Sequence, residues 1–267
     1  MKTLKQVFIL ISLMMIASAQ LAYGQPEKQR VGPSNENSGD GEQIKTGAFD
    51  LEIKLSDIVD IKELAHISPD IHEDSISSWH IYVPETYDLD NPPGVLVYIS
   101  PTPRGAPPDS WYPVLQQENM IFISANDHGN TAPTNRRIAN TLIALKLINT
   151  NYTTNSDKKF ISGFSGGARV SCLLIESIPN LFKGALLMGG AFKWKGSKTG
   201  LNNIIENGQF VFVTGREDHA RREVIKTYRQ YKKIDQSKVL LIDDRQLGHN
   251  LPKAKQFEEA LSFLSSE

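Results

Sequence analysis

Six short runs of nearly unbroken apolar residues recur from Gly94 onward: Val95 to Ile99 (VLVYI), Met120 to Ser124 (MIFIS), Lys159 to Ser162 (KFIS), Ala185 to Met188 (ALLM), Phe210 to Val213 (FVFV) and Val239 to Ile242 (VLLI). A strand apolar at every position must be covered on both faces, as happens inside a parallel sheet. Helical segments separate most of these runs, roughly Ser110 to Glu118, Thr134 to Asn149, Gly167 to Ile178, Glu217 to Tyr231 and Lys253 to Leu264. The alternation predicts βαβ units and an α/β fold, a doubly wound, mostly parallel sheet with helices on both faces. Upstream, Ala48 to Lys54 (AFDLEIK) and Ser78 to Val83 (SWHIYV) alternate apolar and polar residues, which predicts an antiparallel N-terminal edge. Between core strands, Gly189 to Gly208 is long and without clear periodicity; it is expected to overhang a site.

The N-terminus reads differently. Lys2 and Lys5 precede Val7 to Ala19 (VFILISLMMIASA), an apolar run of 13 residues. A membrane span needs about 20, so the run suits the core of a secretory signal peptide. Ala22 and Gly24 give a small-residue cleavage site before Gln25. Residues 1–24 are therefore expected to be removed on export, leaving a secreted or periplasmic protein with no stable membrane association. Residues 25–46 are polar and rich in Gly, Pro, Ser and Asn. They cannot bury enough apolar surface to offset the entropy of ordering, and are expected to form a flexible leader. Residues 47–267 then suit a single domain with a sizeable core.

Composition narrows the function. A net charge of −1 gives no electrostatic footprint for nucleic acid. The basic cluster Arg216, Arg221, Arg222 and Lys226 alternates with acids and reads as one solvated helix face. Cys172 is the only cysteine, which rules out an internal disulfide. No Cys/His cluster has zinc-ligand spacing, so no metal is expected.

The chemistry concentrates in Gly163-Phe164-Ser165-Gly166-Gly167. G-x-S-x-G alone arises by chance in about one chain in ten of this length. Here it follows a buried strand and opens a helix, the context in which such a turn holds a serine up as a nucleophile. Side chains at 163 and 167 would clash where strand and helix converge, and Gly166 can aim its N–H at a developing oxyanion. A serine hydroxyl is a poor nucleophile without a base, so a histidine oriented by a carboxylate must follow. After Phe210 to Val213 comes Thr214-Gly215-Arg216-Glu217-Asp218-His219, and after Val239 to Ile242 comes Asp243-Asp244-Arg245-Gln246-Leu247-Gly248-His249. His249 is the expected base and Asp218 the expected acid, with Glu217 its nearest rival. Asp243 and Asp244 lie too close in sequence to His249, and His219 is expected to point elsewhere at the rim.

GFSGG, then TGREDH, then LGHNLP resembles the α/β-hydrolase superfamily, and more narrowly secreted esterases related to poly(3-hydroxybutyrate) depolymerases and feruloyl esterases. The resemblance covers roughly residues 78–263. It implies the α/β-hydrolase fold, a Ser165, Asp218, His249 triad, and cofactor-free hydrolysis of a small-molecule or polymer ester. Many members carry a His-Gly pair after the strand matching Val95 to Ile99, followed by the second oxyanion donor. This chain instead reads Ser100-Pro101-Thr102-Pro103-Arg104-Gly105, which puts Thr102 at the donor position between two prolines that have no N–H. Losing one such donor costs on the order of 3 kcal/mol in the transition state, so a weakened hydrolase or a scaffold that binds a glycan, polymer or protein is the alternative. Asp127 and His128, in Asp127-His128-Gly129-Asn130, follow a strand and are candidates to line the pocket; Arg104 and Trp194 are candidates for substrate contact from their loops. Trp111 and Tyr112 are expected to pack their helix on the sheet.

Overall fold

The structure is a computed structural model that describes residues 44–206, 208–234 and 237–266. The expected signal peptide and nearly all of the expected leader lie outside the described residues.

Eight strands form one sheet: β1 (Gly47–Lys54), β2 (Ile76–Val83), β3 (Gly94–Ile99), β4 (Met120–Ala125), β5 (Lys159–Phe164), β6 (Gly184–Met188), β7 (Gln209–Gly215) and β8 (Lys238–Asp244). Their order is β1-β2-β4-β3-β5-β6-β7-β8. β1 and β2 are antiparallel to their neighbours, and every other pair is parallel. Around the sheet lie α1 (Ile61–Ala65), α2 (Tyr112–Gln117), α3 (Thr134–Asn151), α4 (Gly166–Ser177), α5 (Lys198–Glu206), α6 (Arg221–Tyr231) and α7 (Ala254–Ser265). The doubly wound sheet with an antiparallel N-terminal edge is the architecture expected from the sequence.

Why each central strand is apolar throughout is visible in its period of two. Leu96, Phe122, Phe160, Leu186, Met188, Val211 and Val213 enter the core under α2 and α7. Their neighbours Ile161, Ala185, Leu187, Phe210 and Phe212 enter the opposite core with α4 and α6, and Val95, Val97, Ile121 and Ile123 pack on α3. Trp111 is fully buried and stacks on Phe257 at 3.8 Å, locking α2 to α7, and its Nε1–H donates to Pro252 O at 2.9 Å.

Two helices were not anticipated. The Gly189–Gly208 stretch holds α5, which buries Leu201, Ile204 and Ile205 in the core. Its apolar spacing is helical but only two turns long, and Gly196 and Gly200 obscure it. Between β1 and β2, the short α1 starts at Asp60, whose carboxylate accepts the Lys62 N–H at 2.9 Å.

Candidate active site

Strands β5, β7 and β8 run parallel, so the loops that follow them meet at one edge of the sheet. Ser165 ends the first loop, at the N-cap of α4, with φ 54° and ψ −117°. A non-glycine residue held there costs about 1–3 kcal/mol. The surroundings enforce it. Ser165 N–H donates to Met188 O at 2.8 Å, and a Cβ on Gly190 would lie 2.4 Å from Ser165 O. A Cβ on Gly163 would sit 2.4 Å from the Gly167 carbonyl carbon, and one on Gly167 only 1.8 Å from Ile99 O. The glycines let helix and strand converge with the serine at the apex, as expected.

His249 brings its Nε2 to 3.0 Å from Ser165 Oγ and its Nδ1 to 2.7 Å from Asp218 Oδ1. Asp218 is 5% exposed, and its carboxylate also accepts from Ala220 N–H at 2.8 Å and Thr214 Oγ1 at 2.9 Å. With two other donors holding the carboxylate, Nδ1 of His249 carries the proton and Nε2 faces the serine as acceptor. Glu217 is exposed and takes no part in this chain. Asp243 pairs with Arg221 at 2.6 Å, and Asp244 is engaged by Gln246 N–H and the Gln256 amide. His219 does not point away as expected. Its ring packs against that of His249, centroids 3.9 Å apart, while Phe164 flanks the same imidazole at 4.9 Å.

Asp218, His219 and His249 offer three potential metal-ligand atoms within 4.8 Å of one another. The donor chemistry does not suit an ion there as the residues stand. Both oxygens of Asp218 are committed to hydrogen bonds, and the Nδ1 of His249 is a donor to one of them.

The oxyanion expectation divides. Gly166 opens α4, so its N–H is among the first-turn donors that have no intrahelical acceptor. The Thr102 N–H instead donates to Ser100 Oγ at 3.2 Å. Asn130, the last residue of the Asp127-His128-Gly129-Asn130 stretch that the sequence offered as pocket lining, reaches the same place. Its backbone N–H donates to Pro101 O at 2.8 Å, and its Oδ1 accepts from Arg137 Nη1 at 3.3 Å. A Cβ on Gly166 would come within 2.1 Å of that Oδ1, so the amide overhangs the turn after Ser165. Arg137, 5% exposed, also donates Nη2 to Ser100 O at 2.9 Å, tying both loops to α3. Gly129 was a signal for this: a Cβ there would lie 2.7 Å from the Thr102 carbonyl carbon, so only glycine lets the loops stack.

The remaining candidates spread out. Arg104 and Asp127 are exposed, and the Asp127 N–H donates to Pro103 O at 2.6 Å. His128 turns inward, its Nδ1 2.6 Å from Asn126 O, and burial pushes its pKa below the ordinary histidine value. Trp194 does not face the loop surface. It is 9% exposed within the core, and its Nε1–H donates to Ser197 O at 2.8 Å.

Sheet order, strained serine and the placement of the three loops define an α/β-hydrolase fold. The solved structures similar to this chain agree. A thermostable esterase aligns with TM-score 0.54 and 13% identity over 74% of this chain and 55% of its own. Oligopeptidase B of Leishmania major gives 0.51 and 14%, over 72% and 34% respectively. The fluorophosphonate-binding serine hydrolase F of Staphylococcus aureus gives 0.59 and 12%, over 83% and 99%. This chain thus spans about half and a third of the first two, and nearly all of the third. No family model and no curated protein sequence matches the chain.

Proposed function

We propose that the chain is an exported serine hydrolase that cleaves carboxylic esters through an acyl-enzyme on Ser165. The observation that carries this is the continuous chain Ser165 Oγ, His249, Asp218, at 3.0 and 2.7 Å, on a serine held at positive φ. As Ser165 Oγ attacks the ester carbonyl, its proton passes to His249 Nε2. Asp218 holds Nδ1–H and stabilises the imidazolium. The oxyanion that forms takes the Gly166 N–H, with Thr102 or Asn130 supplying the second donor. His249 then returns the proton to the departing alkoxide, and later activates the water that releases the acid. No step calls for a metal or cofactor. The substrate is a small-molecule or polymer ester; nucleic acid does not fit a net charge of −1.

A fluorophosphonate probe tests the nucleophile. Labelling of folded protein that disappears in Ser165→Ala supports the enzyme, and no labelling of folded wild type sinks it. A screen of p-nitrophenyl, feruloyl and hydroxyalkanoate esters beside peptide amides then separates esterase from peptidase. The alternative, a weak or inactive scaffold, draws on the Thr102 N–H being taken up by Ser100 Oγ. Export is tested by the mass of mature material, which should begin at Gln25; a membrane-bound protein still starting at Met1 would reverse that part of the proposal.

A further inference from the structure

A cleft of ≈ 430 Å³ opens beside the His219–His249 contact, between the first turn of α4, the loop after β6 and the outer face of α6. Arg169, Lys193, Arg222 and Lys226 line it, against one carboxylate, Glu223. That carboxylate is occupied. It accepts from Arg169 Nε at 2.9 Å and Nη2 at 3.1 Å, and from Ala191 N–H at 2.9 Å. Among the described residues, Lys193, Arg222 and Lys226 make no ion pair. Arg222 and Lys226 are exposed, as expected of a solvated helix face, and of the same sequence cluster Arg221 pairs with an acid, Asp243. Arg222 and Lys226, one turn apart on α6, meet Arg169 and Lys193 from two other segments across a concavity that holds a surplus of positive charge.

The position of that surplus matters. Arg169 lies one helical turn beyond Ser165, its N–H donating to Ser165 O at 3.3 Å. His219, which lines the cleft, rests on the imidazole that would protonate the leaving group. In ester cleavage the alcohol oxygen must lie on the His249 side of the serine to receive that proton. An alcohol portion that leaves past His219 would enter the cleft.

We infer that the cleft is a leaving-group subsite for esters whose alcohol portion carries a carboxylate. The inference rests on the ester-hydrolase reading for the identity of the ligand, but its binding test does not. In Ser165→Ala protein, calorimetric titration with 4-acetoxyphenylacetate and with its uncharged amide compares two ligands that differ in one charge. The carboxylate is expected to bind at least about tenfold more tightly at low salt. That preference should shrink toward parity in about 0.5 M NaCl, where the Debye length falls to about 4 Å. Arg222→Glu/Lys226→Glu should abolish or invert it, with circular dichroism as the folding control. Lys226→Gln, a milder change on an exposed position, should reduce it severalfold. Equal affinity for the two ligands, or binding of neither, overturns the subsite. Carboxylate preference in a protein whose wild type resists fluorophosphonate upholds the subsite and sinks the hydrolase reading. Equal affinity in a protein that labels at Ser165 does the reverse.

Discussion

Asp218→Asn is the most informative single change, because the structure says which way the new amide must turn. Oδ1 of Asp218 accepts from His249 Nδ1 and from Ala220 N–H, while among the described residues Oδ2 accepts only from the Thr214 hydroxyl. Placing NH₂ at Oδ1 would set two donors against each other at a position that is 5% exposed. At Oδ2 it meets a hydroxyl that can accept instead. The asparagine oxygen therefore stays toward His249 and the tautomer survives. What disappears is the charge opposite the imidazolium, worth about 2–3 kcal/mol as the difference a charged partner makes, or about 30- to 150-fold in kcat. An amide that turned its NH₂ to the histidine would enforce the wrong tautomer and lose nearer 10⁴. Steady-state hydrolysis of p-nitrophenyl acetate, or whichever ester is turned over fastest, measures the loss, with circular dichroism as the folding control. Glu217→Gln, at an exposed position, should change kcat less than about tenfold, under ~1.4 kcal/mol of barrier. A loss of 10⁴ would refute the argument about amide orientation. A loss below about threefold, or a crippled Glu217→Gln, would remove Asp218 from the chain altogether.

Gly167→Ala should destabilise by about 3 kcal/mol or more, read from the urea midpoint, because its Cβ would fall 1.8 Å from Ile99 O in a central strand. Burial pushes the Cys172 thiol up to about 12, so a thiol-reactive dye should modify it only after unfolding. His128 carries a pH signature. Burial lowers its folded pKa below the unfolded 6.5, so the unfolded chain binds the extra proton and stability rises with pH through that window. Relative to His128→Gln, the wild type should lose stability as pH falls from about 7.5 to 5.5, and thermal melts across that range check it.

What the sequence made legible was whatever a local pattern enforces. The runs at Phe210–Val213 and Ala185–Met188 could only be strands covered twice, and GFSGG could only be a turn tight enough to exclude Cβ atoms at 163 and 167. Chain order did the rest, since loops after parallel strands share an edge. Features set by the meeting of distant segments were not legible. Asn130 reaches the serine turn only because Gly129 lets its loop stack on Pro101 and Thr102, an approach that no spacing records. Arg222 and Lys226 are solvent-facing, as read, but that Arg169 and Lys193 share their cleft was not legible, because those two come from elsewhere in the chain. Trp194 looked like a contact residue in an aperiodic loop, until α5 supplied the apolar wall that buries it.

The oxyanion loop is where this chain departs furthest from the pattern it otherwise follows, and the departure has a definite energetic form. Pro101 and Pro103 have no N–H, so Thr102 holds the only main-chain donor between Ser100 and Arg104. Before reaction that donor is spent on Ser100 Oγ at 3.2 Å, a neutral bond worth about 1 kcal/mol net. A developing oxyanion would offer a charge-assisted bond roughly twice as strong. If Thr102 is the second donor, the hydroxyl must be displaced in the transition state, and its bond is subtracted from the stabilisation. Ser100→Ala removes the competitor while leaving the backbone carbonyl that Arg137 Nη2 grips. The position is 5% exposed and the change removes only one hydroxyl, so folding should persist. We therefore expect Ser100→Ala to raise kcat by about fivefold, the equivalent of ~1 kcal/mol, with KM little changed. Asn130→Ala in the same assay should then cost less than about threefold, because the hole is already complete. The reverse pattern, a Ser100→Ala variant no faster than wild type beside an Asn130→Ala variant slowed by 10² or more, would assign the second donor to the Asn130 amide. The serine hydroxyl would then be a strut for the loop, not a rival for the oxyanion.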